Sequence, residues 1–209
     1  MADSVTVESS TEEILQNVGA LHSGHFLLTS GLHSDKYIQS QRLLQYPRYA
    51  AIIAERLADQ VLQSGLKVNA VIGPALGAIH LEVFVAAALD KKSETPVRAM
   101  FAERNSDSPI DPNSFTLRRG IELSPDDNVL VVEDVCTTGG SVKKVLSLVE
   151  ELGAKAVGVA AIVDRSGSTI DFGKPFIKLI TLSLKNYEQD NCPMCKEGTK
   201  AVKPGSSKK

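Results

Sequence analysis

The amino-acid sequence predicts an α/β fold, a mostly parallel, twisted sheet flanked by helices. Three features carry that expectation. Short, almost wholly apolar runs alternate with segments whose apolar residues recur at helical spacing, as in a parallel sheet covered on both faces. One run passes through two acidic residues and a loop of small residues directly into an amphipathic helix. No stretch of about 18 consecutive apolar residues exists, so the apolar runs belong to a buried sheet and not to membrane spans.

Residues 1–10 are polar and read as an N-terminal extension. Thr11-Glu12-Glu13 opens a helix carrying Ile14, Leu15 and Val18 on one side. GHFLLTSGLHSDKYIQSQ then reads as short extended pieces joined by a turn at Ser30-Gly31. From 48 to 63, Ile52, Ile53, Leu57, Val61 and Leu62 mark a helix that Ser64-Gly65 closes. Strand 70–73 and helix 78–89 follow, then strand 97–101 and a polar loop, 103–119, containing Pro109 and Pro112. Strand 128–134, helix 141–152 and strand 156–164 complete the alternation, with a last strand over 176–184. The segment 191–209, rich in Cys, Lys and Gly, reads as an exposed tail, and there is no internal repeat.

A chain of 209 residues fits one large domain. At that size about 70% of the unfolded surface is buried, enough for a core without disulfides or metals. The net charge of -2 argues against nucleic acid as a partner, because phosphate-backbone binding wants a basic face. The acidic N-terminus is unlike a signal or transit peptide, and three cysteines make no disulfide framework, so a cytoplasmic location is expected.

The chemistry concentrates in VLVVEDVCTTGGSVKKVLSLVEELG, residues 129–153. A buried strand delivers Glu133 and Asp134 to its carboxyl end, where ligands sit in open α/β sheets. Val135, Cys136, Thr137, Thr138, Gly139, Gly140 and Ser141 then lead into a helix with Val142, Val145, Leu146, Val149 and Leu152 on one face. Small residues at a helix N-terminus present N–H groups and the helix dipole to an anion, so this loop suits a phosphate. It matches neither GxxxxGK[ST] nor GxGxxG. Two carboxylates would repel the phosphate itself. They suit ribose hydroxyls or a divalent cation, and the ligand they describe is a sugar phosphate.

VLVVEDVCTTGGS closely resembles the phosphoribosyl pyrophosphate (PRPP) signature of type I phosphoribosyltransferases. GHFLLTSGLHSDKYIQ, GPALGAI, FAERN, FTLRRG, IVDRSG and CPMCKEG, in that order, resemble the orotate phosphoribosyltransferases, over residues 11–205. The resemblance implies the type I phosphoribosyltransferase fold, as a single domain over 11–190 whose N-terminal part, about 11–47, forms a small hood. It implies conversion of orotate and PRPP to orotidine 5'-monophosphate and pyrophosphate, in de novo pyrimidine (UMP) biosynthesis, with magnesium (Mg2+) accompanying the pyrophosphate. It also implies a homodimer with shared active sites.

Residue by residue, the resemblance puts Glu133 and Asp134 on the ribose hydroxyls and loop 137–141 on the 5'-phosphate. Gly73 and Gly77, in GPALGA, would let backbone amides approach the pyrophosphate. Thr137, Arg165 and Phe26 would bind orotate, Arg165 meeting its carboxylate with a guanidinium fork. Segment 103–119 resembles the family's mobile catalytic loop, in which Arg104, Arg118 and Arg119 supply the positive charge. Much of the family has lysines and a histidine inside that loop, where this chain has Asn105, Ser106, Asp107 and Ser108. Some members have lysine at the place of Thr29, and Lys36 is the nearby basic residue here.

Two further readings stay open: a phosphoribosyltransferase for another base, such as a purine, and a non-catalytic PRPP-binding regulator on the same fold. The first is opposed by the base-covering blocks, the second by the lack of a spare domain or basic face. An additional decarboxylase domain would not fit. His80 and Glu82 depart from the small residues usual after GPALGA and read as a satisfied polar pair at a helix start. No metal site is expected. His22, His25 and His33 lack a ligand pattern, and Cys192 and Cys195 make a single CxxC short of the four ligands that zinc wants.

Overall fold

The computed structural model describes residues 6–28, 30–182 and 185–204, and the chain divides into two units. One is Leu44–Leu182, and the other is built from both ends, Met1–Leu43 with Ser183–Lys209.

Helix α1 (Thr11–Asn17) begins the second unit. Ser10 caps it: its hydroxyl accepts from the Glu13 N–H at 3.2 Å, and the Glu13 carboxylate accepts from the Ser10 N–H at 2.6 Å, a reciprocal capping box. Strands β1 (Leu21–Leu27) and β2 (His33–Ile38) form an antiparallel hairpin turning at Ser30-Gly31, as expected. The register slips by one residue between Ser23 and Phe26, a bulge. A short helix, α2 (Gln41–Leu44), follows.

The alternation predicted for the middle of the chain is present in the larger unit. Helix α3 (Pro47–Gln63) buries Tyr49, Ala50, Ile53, Ala54, Leu57, Ala58 and Val61, one face at helical spacing, while Leu62 stays exposed. Strand β3 (Ala70–Pro74), helix α4 (Ile79–Asp90), strand β4 (Arg98–Arg104) and strand β5 (Phe115–Thr116) come next. Strand β6 (Asn128–Cys136), helix α5 (Gly140–Glu151), strand β7 (Lys155–Asp164) and strand β8 (Phe176–Thr181) complete it. The sheet order is β5-β4-β3-β6-β7-β8, parallel except for β5.

Val129, Leu130, Val131 and Val132 of β6 are all fully buried, which places β6 between two covered faces. Each contributes at most about 1.5–3 kcal/mol by burial. Val129 and Val131 join the core that contains Val142, Val145 and Val149 of α5, and the period of two turns Leu130 and Val132 the other way.

The ends of elements differ from expectation in informative places. β4 runs on to Arg104 and pairs with β5, so most of the expected polar loop is the tip and return of a hairpin. A two-residue strand carries no periodic signal, which is why β5 was not visible. The last strand ends at Thr181, and residues 183–184 of the expected strand lie outside the described residues.

Most described residues of 191–204 are exposed, but the segment is also tied down by pairing. Cys192 is fully buried, strand β9 (Asn186–Tyr187) pairs with β2, and a four-residue helix, α6 (Pro193–Lys196), follows. Val202 exchanges backbone hydrogen bonds with β1, donating to the His25 carbonyl at 2.8 Å and accepting from the Leu27 N–H at 2.9 Å. Lysine-rich composition suggested solvent, but the backbone pairing and the buried thiol hold this segment to the hairpin.

Candidate functional site

The site lies at the carboxyl ends of β3, β4, β6 and β7. β6 carries Glu133 and Asp134 in its last turn of the ladder, and the chain then crosses 137–139 into α5. Gly139 sits at φ 73°, in the left-handed region, and a Cβ there would lie 2.8 Å from a ring carbon of Phe172. Only glycine meets both demands. Thr137, Thr138 and Gly140 are exposed, and residues 133 and 135–142 line a cavity of about 70 Å³ at the N-terminus of α5. The size and the ring of N–H and hydroxyl groups suit one phosphate.

Val135 and Cys136 are among the residues lining this cavity. The Cys136 side chain is buried in the core under α5, where burial first, then the Glu133 and Asp164 charges, push its thiol up to about 12. That thiol is inert, and the expectation of Cys136 as a ligand residue is narrowed to its main chain.

The two carboxylates differ. Burial, then the neighbouring Asp134 charge, pushes the Glu133 carboxyl up to about 9, so without a ligand it holds its proton at neutral pH. The Asp134 carboxylate accepts from the Val135 N–H at 2.7 Å and faces the loop after β3. A Cβ placed on Gly77 would lie 3.6 Å from both Asp134 oxygens, so the 75–78 loop runs directly against this acid.

Gly73 does something other than expected. It is buried within β3, and a Cβ there would lie 2.6 Å from Ala78 Cβ and 2.9 Å from a Glu82 oxygen. Its N–H donates to the Glu82 carboxyl. Gly73 therefore makes room for Glu82. The expected polar pair is also corrected: His80 is exposed, whereas Glu82 is buried with Oε2 lacking a hydrogen-bond partner, and burial pushes its carboxyl up to about 9.

Beside the 75–78 loop, Ala75, Leu76, Ile79, Phe101, Glu103, Arg104 and Arg119 line a cavity of about 580 Å³. Arg104 stacks over the Phe115 ring at 5.2 Å, and the Arg119 Nε–H donates to Glu103 at 2.9 Å. Arg119 holds φ 63°, a conformation that is sparsely populated for a non-glycine residue. Two of the three arginines thus converge. Arg118 lies apart, within 3.5 Å of Asn105 and 3.7 Å of Asp107. The hairpin tip docks on its own chain, where Lys144 of α5 donates to Asp111 at 2.8 Å and to the Asn113 carbonyl at 3.1 Å.

On the other flank, β7 ends in Asp164, which is fully buried and organises the next loop. It accepts from the Ser166 N–H and hydroxyl, the Ser168 N–H and Lys178 at 2.6–3.1 Å. Burial alone would raise this carboxyl, but the bonds from Ser166 and Lys178 outweigh it and hold it below the ordinary carboxylate range. The Arg165 N–H donates to the Cys136 carbonyl at 2.8 Å, which sets Arg165 next to Thr137. Thr137, Thr138, Lys143, Ser166, Thr169, Ile170 and Asp171 share an open cavity there of about 560 Å³.

This arrangement has counterparts. The family described as phosphoribosyl transferase domain matches residues 40–192. An orotate phosphoribosyltransferase of Caldanaerobacter subterraneus is 48% identical over 196 residues, covering 94% of this chain and 96% of the relative. The chain belongs to the orotate phosphoribosyltransferase family. The fold agrees: the orotate phosphoribosyltransferase of Mycobacterium tuberculosis superposes with a TM-score of 0.63 at 23% identity, covering 83% of this chain and 97% of that one. An adenine phosphoribosyltransferase of Thermoanaerobacter pseudethanolicus also superposes, with a TM-score of 0.55 at 17% identity, over 70% of this chain and 88% of that one. The shared fold therefore does not select the base, and membership of the orotate family rests on sequence identity.

Within that family framework, sequence reasoning missed Asp164, Lys144 and Lys178. Asp164 ended an apolar strand and looked like a simple terminus. The Asp-x-Ser-x-Ser pattern of 164–168 was the available signal, since its N–H and hydroxyl groups fold back on one carboxylate. Phe26 and Lys36 belong to the other unit, where Phe26 lies 5.8 Å from the Tyr37 ring. Thr29 lies outside the described residues.

Proposed function

We infer that this chain transfers ribose 5-phosphate from PRPP to orotate, releasing pyrophosphate and forming orotidine 5'-monophosphate. The observation that carries this is the placement of the Glu133–Asp134 pair between a phosphate-sized cavity at the α5 N-terminus and the 75–78 loop that abuts Asp134.

In this reading the 5'-phosphate takes the N–H groups and hydroxyls of 137–141, and the ribose hydroxyls donate to Asp134 and Glu133. The pyrophosphate then extends over the 75–78 loop toward Arg104 and Arg119. As the C1'–O bond breaks, positive charge grows on the ribosyl ring and negative charge on the leaving oxygen. Fixed arginines stabilise the latter more than they stabilise the substrate. Orotate lies beside Thr137, its carboxylate facing the Arg165 guanidinium and its ring nitrogen facing C1'. Arg118 acts when the hairpin tip closes and excludes water that would hydrolyse PRPP. The tip serves the neighbouring subunit of a homodimer, and the enzyme works in the cytoplasm.

The donor set fits magnesium, since Glu133 and Asp134 are adjacent hard oxygen ligands and burial beside the Asp134 charge raises the Glu133 carboxyl, a penalty that a cation there would relieve. With PRPP bound, Glu133 and Asp134 would help hold the ion, which would supply neutralisation of leaving-group charge.

The test is orotate consumption followed by ultraviolet absorbance with PRPP and Mg2+, with adenine, hypoxanthine and uracil in parallel. Loss of orotate alone, dependent on both additions, is the expected result. Reaction with a purine instead would overturn the base assignment, and PRPP binding without turnover would favour a regulator.

A further inference from the structure

The hairpin and the C-terminal segment of the end-built unit enclose a cluster that the transfer reaction does not use. His25, His33, Cys192 and Cys195 each aim one ligand atom at a common point, and these atoms all lie within 4.8 Å of one another. His25 Nε2 is 2.7 Å from His33 Nδ1, Cys192 Sγ is 3.5 Å from His25 Nε2, and Cys195 Sγ is 3.7 Å from His25 Nε2 and 3.3 Å from His33 Nδ1. We propose that these four side chains bind one zinc ion, a structural site that staples β1 and β2 to the C-terminal segment.

The geometry is close to a zinc tetrahedron. Bond lengths of about 2.05 Å to nitrogen and 2.3 Å to sulfur put tetrahedral ligand atoms about 3.4 Å (N···N) and 3.6 Å (N···S) apart. The three N···S distances already match, and the imidazoles need to separate by only about 0.7 Å. Two thiolates with two imidazoles select zinc over the hard cations that prefer oxygen. Four protein ligands leave no open position, so the site is structural and not catalytic.

The chain builds this cluster deliberately. Leu27 pairs with His33, and His25 lies two residues before Leu27, on the same face of β1. His25 lies within the bulge that separates Ser23 from Phe26. His25 also has the partner expected behind a metal ligand: its Nδ1 is 2.9 Å from the Thr199 hydroxyl, which itself donates to the Met194 carbonyl at 2.8 Å. With that hydroxyl proton committed, its oxygen accepts from His25 Nδ1–H, and the Nε2 lone pair points into the cluster. His25, His33 and Cys192 are each at most 9% exposed, where unligated polar groups would be costly. The surrounding core is thin, Ile14, Leu15, Ala20, Leu21, Ile38 and Leu43, the situation in which small units recruit a metal.

The test is elemental analysis of the full chain, expressed with zinc in the medium and purified without chelator. About one zinc per chain is expected, with strong loss in Cys195→Ser and in His33→Ala. Cobalt substitution gives an independent readout should a variant fail to fold: the wild-type chain, stripped and reloaded with Co2+, should show visible tetrahedral bands and a sulfur-to-cobalt charge-transfer band, and chelation should lower its Tm by roughly 5–10 °C. Wild-type chain that carries only background zinc and gives no cobalt bands would overturn the proposal. So would a Cys192–Cys195 disulfide, seen as two thiols missing from a titration of the freshly purified protein.

Discussion

Arg165 is hydrogen-bonded through its backbone to Cys136: the Arg165 N–H meets the Cys136 carbonyl at 2.8 Å. The bond extends the β6–β7 ladder by one step and brings the base-side loop into register with the phosphate loop. On the proposed reading, the side chain that meets the base is thereby held at a fixed offset from the loop that takes the sugar phosphate. Arg165→Ala should leave this backbone bond intact and remove only the guanidinium. The Michaelis constant for orotate should rise roughly 10- to 100-fold, the worth of a charge-assisted pair, and that for PRPP far less. Steady-state kinetics with each substrate varied would show it, and equal effects on both constants would count against base recognition.

The raised Glu133 carboxyl predicts unequal mutants at this pair. Glu133, pushed up to about 9 by burial and by Asp134, is neutral in the free protein, so Glu133→Gln replaces one neutral group by another of similar shape. Its cost should stay below roughly 10-fold in kcat/KM for PRPP, whereas Asp134→Asn should cost roughly 100-fold through the lost charged acceptors. Comparable losses in the two mutants would refute the distinction.

Glu82 makes a prediction about stability. Its carboxyl is pushed up to about 9 by burial against an ordinary 4.5, so between these values the folded chain holds a proton that the unfolded chain releases. Stability from this group is complete below pH 4.5 and is lost as pH rises toward 9. Glu82→Gln stays neutral throughout, so its Tm should fall less than that of the wild type between pH 6 and pH 9. Parallel Tm profiles for the two chains would show that Glu82 is ionised in the fold at neutral pH.

The hairpin tip yields a test of shared sites. Arg118, beside the tip residues Asn105 and Asp107, and Asp134 of β6 lie on different elements, so Arg118→Ala and Asp134→Asn chains each lack one half of the proposed machinery. If the tip acts on a neighbouring subunit, mixing the two inactive chains under exchanging conditions should restore activity, up to about one quarter of wild type for statistical hybrids. No recovery after mass spectrometry confirms hybrid dimers would confine the tip to its own chain, where the Lys144–Asp111 contact already holds it.

Much of the fold was legible because β6 and α5 announce themselves: four consecutive buried aliphatics, then Val142, Val145, Leu146 and Val149 at helical spacing. Loop 137–141 was legible because glycine and hydroxyl residues between such elements have few structural uses. The contact of Gly73 with Glu82 was not legible, since a glycine that admits a buried carboxylate looks in sequence like a glycine that admits a ligand. Periodicity also could not pair the Cys192–Cys195 turn with His25 and His33. That pairing depends on a bulge, on a long-range β9–β2 ladder and on the Val202 bridge, none of which leaves a local pattern.

The end-built unit has a consequence for synthesis. Leu44–Leu182 contains every strand of its sheet in one continuous stretch, so it can collapse as soon as that stretch has left the ribosome. The β1–β2 hairpin is made first of all the strands, yet its partners, Asn186, Cys192, Cys195 and Val202, emerge last. The earliest hairpin of the nascent chain thus waits with an open edge, and the unit closes only when translation has passed residue 202. A transcript truncated ahead of codon 186 would leave the sheet of Leu44–Leu182 intact and that edge exposed, giving quality control a specific feature by which to detect an unfinished copy.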